Sequence, residues 1–406
     1  MSGRVATRMA KVAPVALGVA LLAAGCASNA PQDTLKPEGP QARTIDNLIM
    51  PVFGIAGIVF VLILGGAVFV AIKFRARDDT DYDEFPDQVH GNFRLEIGWT
   101  ILPAVILGVV GLFTVLTIFD LAQKPGKEAV QVEVYGQQWW WEYRYDLNGD
   151  NKFDDIVTAN DLVVPTGRDI SLHIKSRDVI HSWWAPRLNG KKDAVPGRTS
   201  PLTIHVDKNG EYIGQCAEFC GLSHAEMRIK VVGVSPADFD AWTKNQQRDF
   251  VNPTDETAIE GWKTFAGTCT SCHRINGMTD PASVAADASA STATKTFEYP
   301  EVVNQVAGEV PNLTHFMSRS TFAGAKFELR KDNKECLALG ETWASTDEGV
   351  AKCLNRSDLE AWLRNPPAMK AMHPGETMSP ESRGMPNFNL TEDQIDQLVA
   401  FLTTLK

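Results

Sequence analysis

The sequence predicts a multidomain membrane protein made of a two-helix transmembrane hairpin, an all-β domain and an all-α domain. Three patterns carry that expectation. Residues 49–72 and 97–119 carry no charge, and each exceeds the roughly 18–20 apolar residues that a helix needs to cross a bilayer. Beyond Lys127 the apolar residues alternate, as in Val130, Val132 and Val134 or Ile170, Leu172 and Ile174, which is the period of a strand. From Thr254 onward they recur at helical spacing, as in Ile395, Leu398, Val399 and Leu402.

Residues 1–25 read as a signal peptide. Arg4, Arg8 and Lys11 precede an apolar core from Val12 to Ala24. Leu22-Ala23-Ala24-Gly25-Cys26 is similar to a lipoprotein cleavage site, with Ala23 where a leucine is usual. An ordinary signal peptide or an uncleaved anchor is the alternative. Residues 28–43 read as a linker and 45–125 as the hairpin. Lys73, Arg75 and Arg77 follow the first span, so the 73–95 loop is expected to be cytoplasmic and both chain ends outside. Two buried core helices would be the alternative.

The β domain is expected over 127–245. Leu202, Ile204 and Val206 continue its alternation, and Asn209-Gly210 is a hairpin-type turn. His173 and His205 fall out of phase with the apolar residues and read as surface histidines. Asp146-Leu147-Asn148-Gly149-Asp150-Asn151 starts like a calcium loop. The sixth position is Asn151 and the twelfth Val157, so a polar hairpin tip is the better reading. In the helical domain, expected over 254–406, Ser357 with Glu360 and Thr391 with Gln394 have capping-box spacing. The segment 282–296 reads as a surface insertion.

The formal net charge is −11. Nucleic acid is therefore not an expected partner, since it needs clustered Lys and Arg; a small basic electron carrier would suit the charge. The seven cysteines fall into separate contexts. Cys216-Ala217-Glu218-Phe219-Cys220-Gly221-Leu222-Ser223-His224-Ala225-Glu226-Met227 gathers two thiols, an imidazole and a thioether. Zinc would favour Cys and His alone; a thioether beside thiolate and imidazole suits copper electron transfer. Ile180-His181-Ser182-Trp183 offers a second imidazole, and two thiolates can bridge two copper ions. The bland alternative is a Cys216–Cys220 disulfide.

Residues 45–245 resemble cytochrome c oxidase subunit II, with its hairpin and cupredoxin domain. The likeness rests on the complete C-x-E-x-C-x-x-x-H-x-x-M motif, on Asp193-Ala194-Val195-Pro196-Gly197-Arg198 and on Trp99-Thr100-Ile101-Leu102-Pro103. It implies a dinuclear copper centre (CuA) on His181, Cys216, Cys220, His224, Met227 and the main-chain carbonyl of Glu218. It also implies a magnesium ion shared between the Glu218 side chain and subunit I. Gln138-Trp139-Trp140-Trp141-Glu142-Tyr143 resembles the segment that admits electrons, with Trp139 exposed above the copper; Gln137 stands where histidine is more usual. On one strand, Trp139 and Trp141 would share a face that Trp140 does not. Glu96 matches a glutamate at the mouth of a proton channel continued in subunit I; alone it would read as a helix-dipole partner.

Cys269-Thr270-Ser271-Cys272-His273 is the attachment pattern of haem c. Both thiols would form thioethers, and His273 would be the proximal ligand. The distal ligand is expected at Met385, with Met378 as rival and with Met369 and Met372 as packing residues. A His/Met pair gives a relatively high potential. The C-terminal part resembles a class I cytochrome c domain, and its join to subunit II resembles the caa-type oxidases. The long segment between Leu313 and Ser357 departs from that pattern. It contains Cys336 and Cys353, whose disulfide would close a loop of about 17 residues, worth roughly 3 kcal/mol.

The implied function is the electron-accepting subunit of a cytochrome c oxidase. Electrons from cytochrome c, or from its reductase, would pass haem c and the copper pair to haem a in subunit I, for oxygen reduction and proton pumping. Oxygen chemistry would reside in subunit I. Subunit III and the lipid bilayer are the other expected partners. The expected location is the bacterial plasma membrane, multi-pass, with both soluble domains on the outer face. A copper-containing nitric oxide reductase subunit and a membrane-anchored electron carrier are the alternatives; the carrier would not need two spans. Quinol oxidase subunit II lacks the copper ligands.

Overall fold

The computed structural model describes residues 30–75, 90–278, 310–372 and 383–406. The signal peptide, Cys26, Arg77, the 282–296 segment and Met378 lie outside the described residues.

Helix α1 (Pro40–Lys73) and helix α2 (Phe93–Leu121) form the hairpin. Pro40 suits a helix start, where its missing N–H would be unpaired anyway. At the start of α2 the Asn92 side chain accepts from Leu95 N–H at 3.3 Å. Their most apolar windows have mean hydropathies of 2.9 and 2.6, and none of either window is buried by the protein. Such surface belongs in lipid or against another membrane subunit, which removes the reading of two buried core helices. Pro51 and Pro103 lie inside the helices, as spanning helices tolerate.

Ten strands then build a sandwich of two five-stranded sheets. The first sheet contains β1 (Val130–Gln137), β2 (Trp140–Asp146), β3 (Ile156–Ala159), β5 (Asp169–Ser176) and β8 (Ser200–His205), in the order β3-β2-β1-β5-β8. The second contains β4 (Asp161–Pro165), β6 (His181–Trp184), β7 (Lys192–Ala194), β9 (Gly210–Cys216) and β10 (Arg228–Val234), in the order β4-β10-β9-β6-β7. β1 runs parallel to β5 and β10 parallel to β4, while the other pairs are antiparallel. The alternating Val132, Val134, Ile170, Leu172 and Ile174 face inward with no exposed surface, each worth about 1.5–3 kcal/mol of transfer free energy. Between β2 and β3, Asp146 accepts from the N–H of Gly149 and Asn151, and Asp155 from those of Leu147 and Asn148. That is the polar hairpin tip. His173 bonds Gln131 at 3.0 Å and His205 bonds Asp169 at 2.9 Å. Both are partly buried and away from the thiols, so they are not ligands and not fully on the surface.

After α3 (Pro236–Gln246) comes a mainly helical unit: α4 (Glu256–Thr268), α5 (Lys334–Ala338), α6 (Asp347–Cys353), α7 (Arg356–Arg364), α8 (Pro366–Met369) and α9 (Glu392–Leu402). A two-stranded ribbon of β11 (Thr321–Phe322) and β12 (Phe327–Glu328) interrupts the helices, which the all-α expectation did not include. α4 packs on α9 through Phe265 and Phe401, 5.2 Å between ring centroids. The Thr391/Gln394 capping box is formed. The one expected at Ser357 is not: α7 starts two residues earlier, Asn355 is its N-cap residue, and Glu360 pairs with Arg356. Cys336 and Cys353 form a disulfide between α5 and α6.

The helical unit is seated on the sandwich. Asp161, 2 % exposed, accepts from the N–H and hydroxyl of Ser320 at 2.7 and 2.6 Å and from the Thr321 hydroxyl. Lys230 reaches Glu211 at 3.0 Å and Glu328 at 3.1 Å, and Glu211 also pairs with Arg330. The buried Asp161 carboxylate and Lys230 ammonium thus find their partners across the seam, as burial requires.

Candidate copper and haem sites

Two neighbouring strands and one loop bring the thiols together. β6 opens with His181 and β9 ends with Cys216, and the two strands pair with Trp183 opposite Cys216. The β9–β10 loop carries Cys220, a 3₁₀ turn His224–Glu226, and Met227. Gly221 sits at φ +108°, where an added Cβ would lie 2.8 Å from the Gln138 side chain, so the turn after Cys220 requires glycine.

The sulfur atoms of Cys216 and Cys220 are 3.8 Å apart, far beyond the roughly 2.05 Å of a disulfide. Both cysteines are free and buried. Cys216 Sγ is 4.0 Å from His181 Nδ1 and 3.2 Å from the Glu218 carbonyl oxygen. Cys220 Sγ is 3.5 Å from His224 Nδ1 and 3.8 Å from Met227 Sδ. Every donor named from the sequence is therefore present in one cluster, with the two sulfurs at its centre. The Cys220 thiol is the main influence that holds Cys216 below the usual thiol range, with help from His181 against burial, and Cys220 is pushed up by the same contact. Metal binding would release the remaining proton. Soft, paired donors with an imidazole on either side fit a two-copper centre.

Sequence reasoning missed Asp178. Its Oδ1 is 2.7 Å from His181 Nε2, and its Oδ2 accepts from Gln138 N–H at 2.7 Å. A carboxylate on the far ring nitrogen fixes the imidazole's orientation and tautomer for a ligand role. The spacing Asp178-Val179-Ile180-His181 was the only sequence signal.

Trp139 departs from expectation. Gln138 and Trp139 form the turn between β1 and β2 and are not part of a strand, so alternation does not govern the Trp139 side chain. Trp141 is fully buried and Trp140 half-buried. Trp139 is not exposed: it keeps 4 % of its surface, and Gly324 and Lys370 of the helical unit lie against its main-chain carbonyl. Its indole N–H donates to the Cys220 carbonyl at 3.0 Å. Glu96 lies in the first turn of α2, where Oε1 accepts from Asn92 N–H at 3.2 Å; that is a capping contact. The Glu218 side chain is exposed beside the thiols.

On the other side of Trp139 and Trp140 a cleft opens toward the helical unit. It holds roughly 1420 Å³ of empty space, including its open mouth, and its walls include Cys269, Cys272, His273 and Met385. His273 Nδ1 donates to the Pro311 carbonyl at 2.9 Å, leaving Nε2 as the free lone pair. Burial holds His273 below its usual pKa, in the neutral form that ligates metal. Burial pushes the Cys269 thiol up to about 12. Arg319 also lines the cleft, lacks a partner at Nε, and is lowered to about 10 by burial. A buried guanidinium with an orphaned donor suits an acidic group, such as a haem propionate. Met372 lines the same cleft, packed toward the sandwich, whereas Met385 packs toward the helical core.

Residues 130–234 match the cytochrome c oxidase subunit II periplasmic domain, and residues 32–116 its transmembrane domain. Cytochrome c oxidase subunit 2 of Bacillus sp. strain PS3 is 32 % identical, over 96 % of this chain and 95 % of that protein. The chain belongs to the cytochrome c oxidase subunit II family. The subunit 2 of Alkalihalophilus pseudofirmus is 29 % identical over 95 % of this chain and 94 % of its own. Quinol oxidase subunit 2 of Bacillus subtilis is 34 % identical but aligns with only 59 % of this chain and 73 % of its own. This subunit II is thus part of an oxidoreductase complex, a haem-copper oxidase. These relatives are oxidase subunits, which does not favour the nitric oxide reductase alternative.

Proposed function

We propose that this subunit II accepts electrons from a cytochrome c, or from its reductase, and delivers them to subunit I through two cofactors on one chain. His181, Cys216, Cys220, His224, Met227 and the Glu218 carbonyl would hold the copper pair. Cys269, Cys272, His273 and Met385 would hold haem c, and residues 254–406 would be a class I cytochrome c domain fused to the cupredoxin domain of 127–245. When bound, both groups supply one-electron redox chemistry. The carrying observation is that the thiol cluster and the cleft flank the same residue, Trp139.

The chain's own residues do the rest. Asp178 orients His181, and the buried walls exclude water from the thiols. The indole of Trp139 spans from the cleft wall to the main chain of Cys220. The exposed Glu218 carboxylate is the one ligand this chain would lend to a magnesium ion shared with subunit I. Glu96 would stand at a proton channel of subunit I, in addition to capping α2. Lys73 and Arg75 support a cytoplasmic loop, with both soluble domains on the outer face of a bacterial plasma membrane and α1 and α2 crossing its lipid bilayer. Subunit III would complete the assembly. The alignments over 95 and 96 % of the chain take in the helical unit, which supports counting it as part of the oxidase.

Purification of the full chain with its partner subunits tests this. The expected result is covalently bound haem, two copper ions and oxygen uptake with reduced cytochrome c. A chain without covalent haem would contradict the two-cofactor reading, and copper absent from this chain would contradict it outright.

A further inference from the structure

The seam between the two soluble units closes over the copper loop, and Lys370 lies at its centre. The residue follows α8 and is 4 % exposed. Its ammonium donates to three main-chain carbonyls: Trp139 at 2.7 Å, Ala323 at 2.8 Å and Glu226 at 3.2 Å. Three donors meet three acceptors, so the ammonium's capacity is filled. Two of those carbonyls belong to the sandwich. Trp139 is the residue whose indole bonds Cys220, and Glu226 stands between His224 and Met227 in the copper loop.

Neighbouring contacts converge on the same loop. The Ser223 hydroxyl donates to the Ala371 carbonyl at 2.5 Å, and Arg228 N–H to the Gly324 carbonyl at 3.0 Å. Gly324, at φ +77°, would with a Cβ come within 2.4 Å of both the Trp139 carbonyl oxygen and Lys370 Nζ. The ribbon can approach Trp139 only as glycine. A compact ammonium on a flexible stem satisfies convergent carbonyls in a way that a planar guanidinium does not.

We propose that Lys370 is a positioning residue, pinning the Trp139 turn and the copper loop to the helical unit in the register that electron transfer needs. This rests on the copper and haem reading above. The transfer concerned moves one electron: haem iron passes from ferrous to ferric, and the oxidised copper pair is reduced by one.

The test uses the full-length subunit in detergent, carrying copper and haem, as wild type, Lys370→Met, Lys370→Arg and Gly324→Ala. Three readouts are taken: amide exchange over 137–141 and 222–228, the copper hyperfine splitting, and the transfer rate after flash reduction of the haem. Lys370→Met leaves three carbonyls unpaired. It should keep its metal and haem, speed exchange in both segments by roughly tenfold, change the splitting and slow transfer by a similar factor. Lys370→Arg should fall between it and wild type. Gly324→Ala, with Lys370 intact, should move the same readouts the same way, and decides the matter if Lys370→Met does not fold. Unchanged splitting and rate in these variants would overturn the positioning role. A wild type lacking copper or haem would instead overturn the reading on which it rests.

Discussion

The Trp139 indole N–H donates to the Cys220 carbonyl oxygen at 3.0 Å. One hydrogen bond therefore joins a wall of the cleft to the main chain of a copper-ligand candidate. Gln138 Nε2 donates to the same oxygen at 2.7 Å, so the loop keeps one anchor when the other is removed. Trp139→Leu should leave copper content intact and slow reduction of the copper site from the cleft side by roughly tenfold, the effect of about 1.4 kcal/mol on a barrier. Stopped-flow reduction of the intact subunit measures this. A wild-type rate would remove Trp139 from the route.

Two methionines of the described residues face the cleft, and only Met385 packs with the helical core that carries His273. Met385→Ala should abolish the near-infrared sulfur-to-iron band and lower the haem potential, with haem still held by Cys269 and Cys272. Met372→Ala and Met378→Ala should keep the band. Loss of the band in either of those variants alone would reassign the distal ligand.

Glu211 ties Lys230 of the sandwich to Arg330 of the helical unit. Burial alone would raise its pKa, but the two cations outweigh burial and leave it below 4.5. A depressed carboxylate contributes stability above its unfolded value, and that contribution is lost as pH falls through the folded value. Glu328 is shifted the opposite way by burial, so the difference between variant and wild type is the useful quantity. Glu211→Gln should cost on the order of 2 kcal/mol at neutral pH, and the difference should shrink as pH falls through the depressed folded value of Glu211. Denaturant melts at two pH values give it. A difference independent of pH would mean that the Glu211 charge does not secure the seam.

The candidate copper donors were legible because most of them lie in one short loop, where spacing alone conveys proximity. His181 was legible only as an available second imidazole until the family resemblance gave it a ligand role, and the structure brings its ring to 4.0 Å from Cys216. Asp178 and Lys370 were not legible, since their partners are set by tertiary register; Lys370 and Trp139 are 231 positions apart. The burial of Trp139 was missed for the same reason: the residues against its carbonyl, Gly324 and Lys370, come from another unit of the chain. The two long apolar helices followed from uncharged length and the alternating strands from periodicity, both of which local sequence determines. The missed N-cap at Asn355 reflects tertiary contacts inside the helical unit, where Asn355 bonds the main chain of Glu328 and Leu329, and the ribbon's pairing is equally absent from any local pattern.

The most direct test of the account is paramagnetic resonance of the purified full chain after copper loading, with metal analysis on the same sample. On the proposed reading, Cys216 and Cys220, whose sulfurs lie 3.8 Å apart, would bridge two copper ions that share one unpaired electron. The expected result is two copper ions per chain and a seven-line hyperfine pattern, abolished by Cys216→Ser. A single copper ion with a four-line pattern would contradict the dinuclear site.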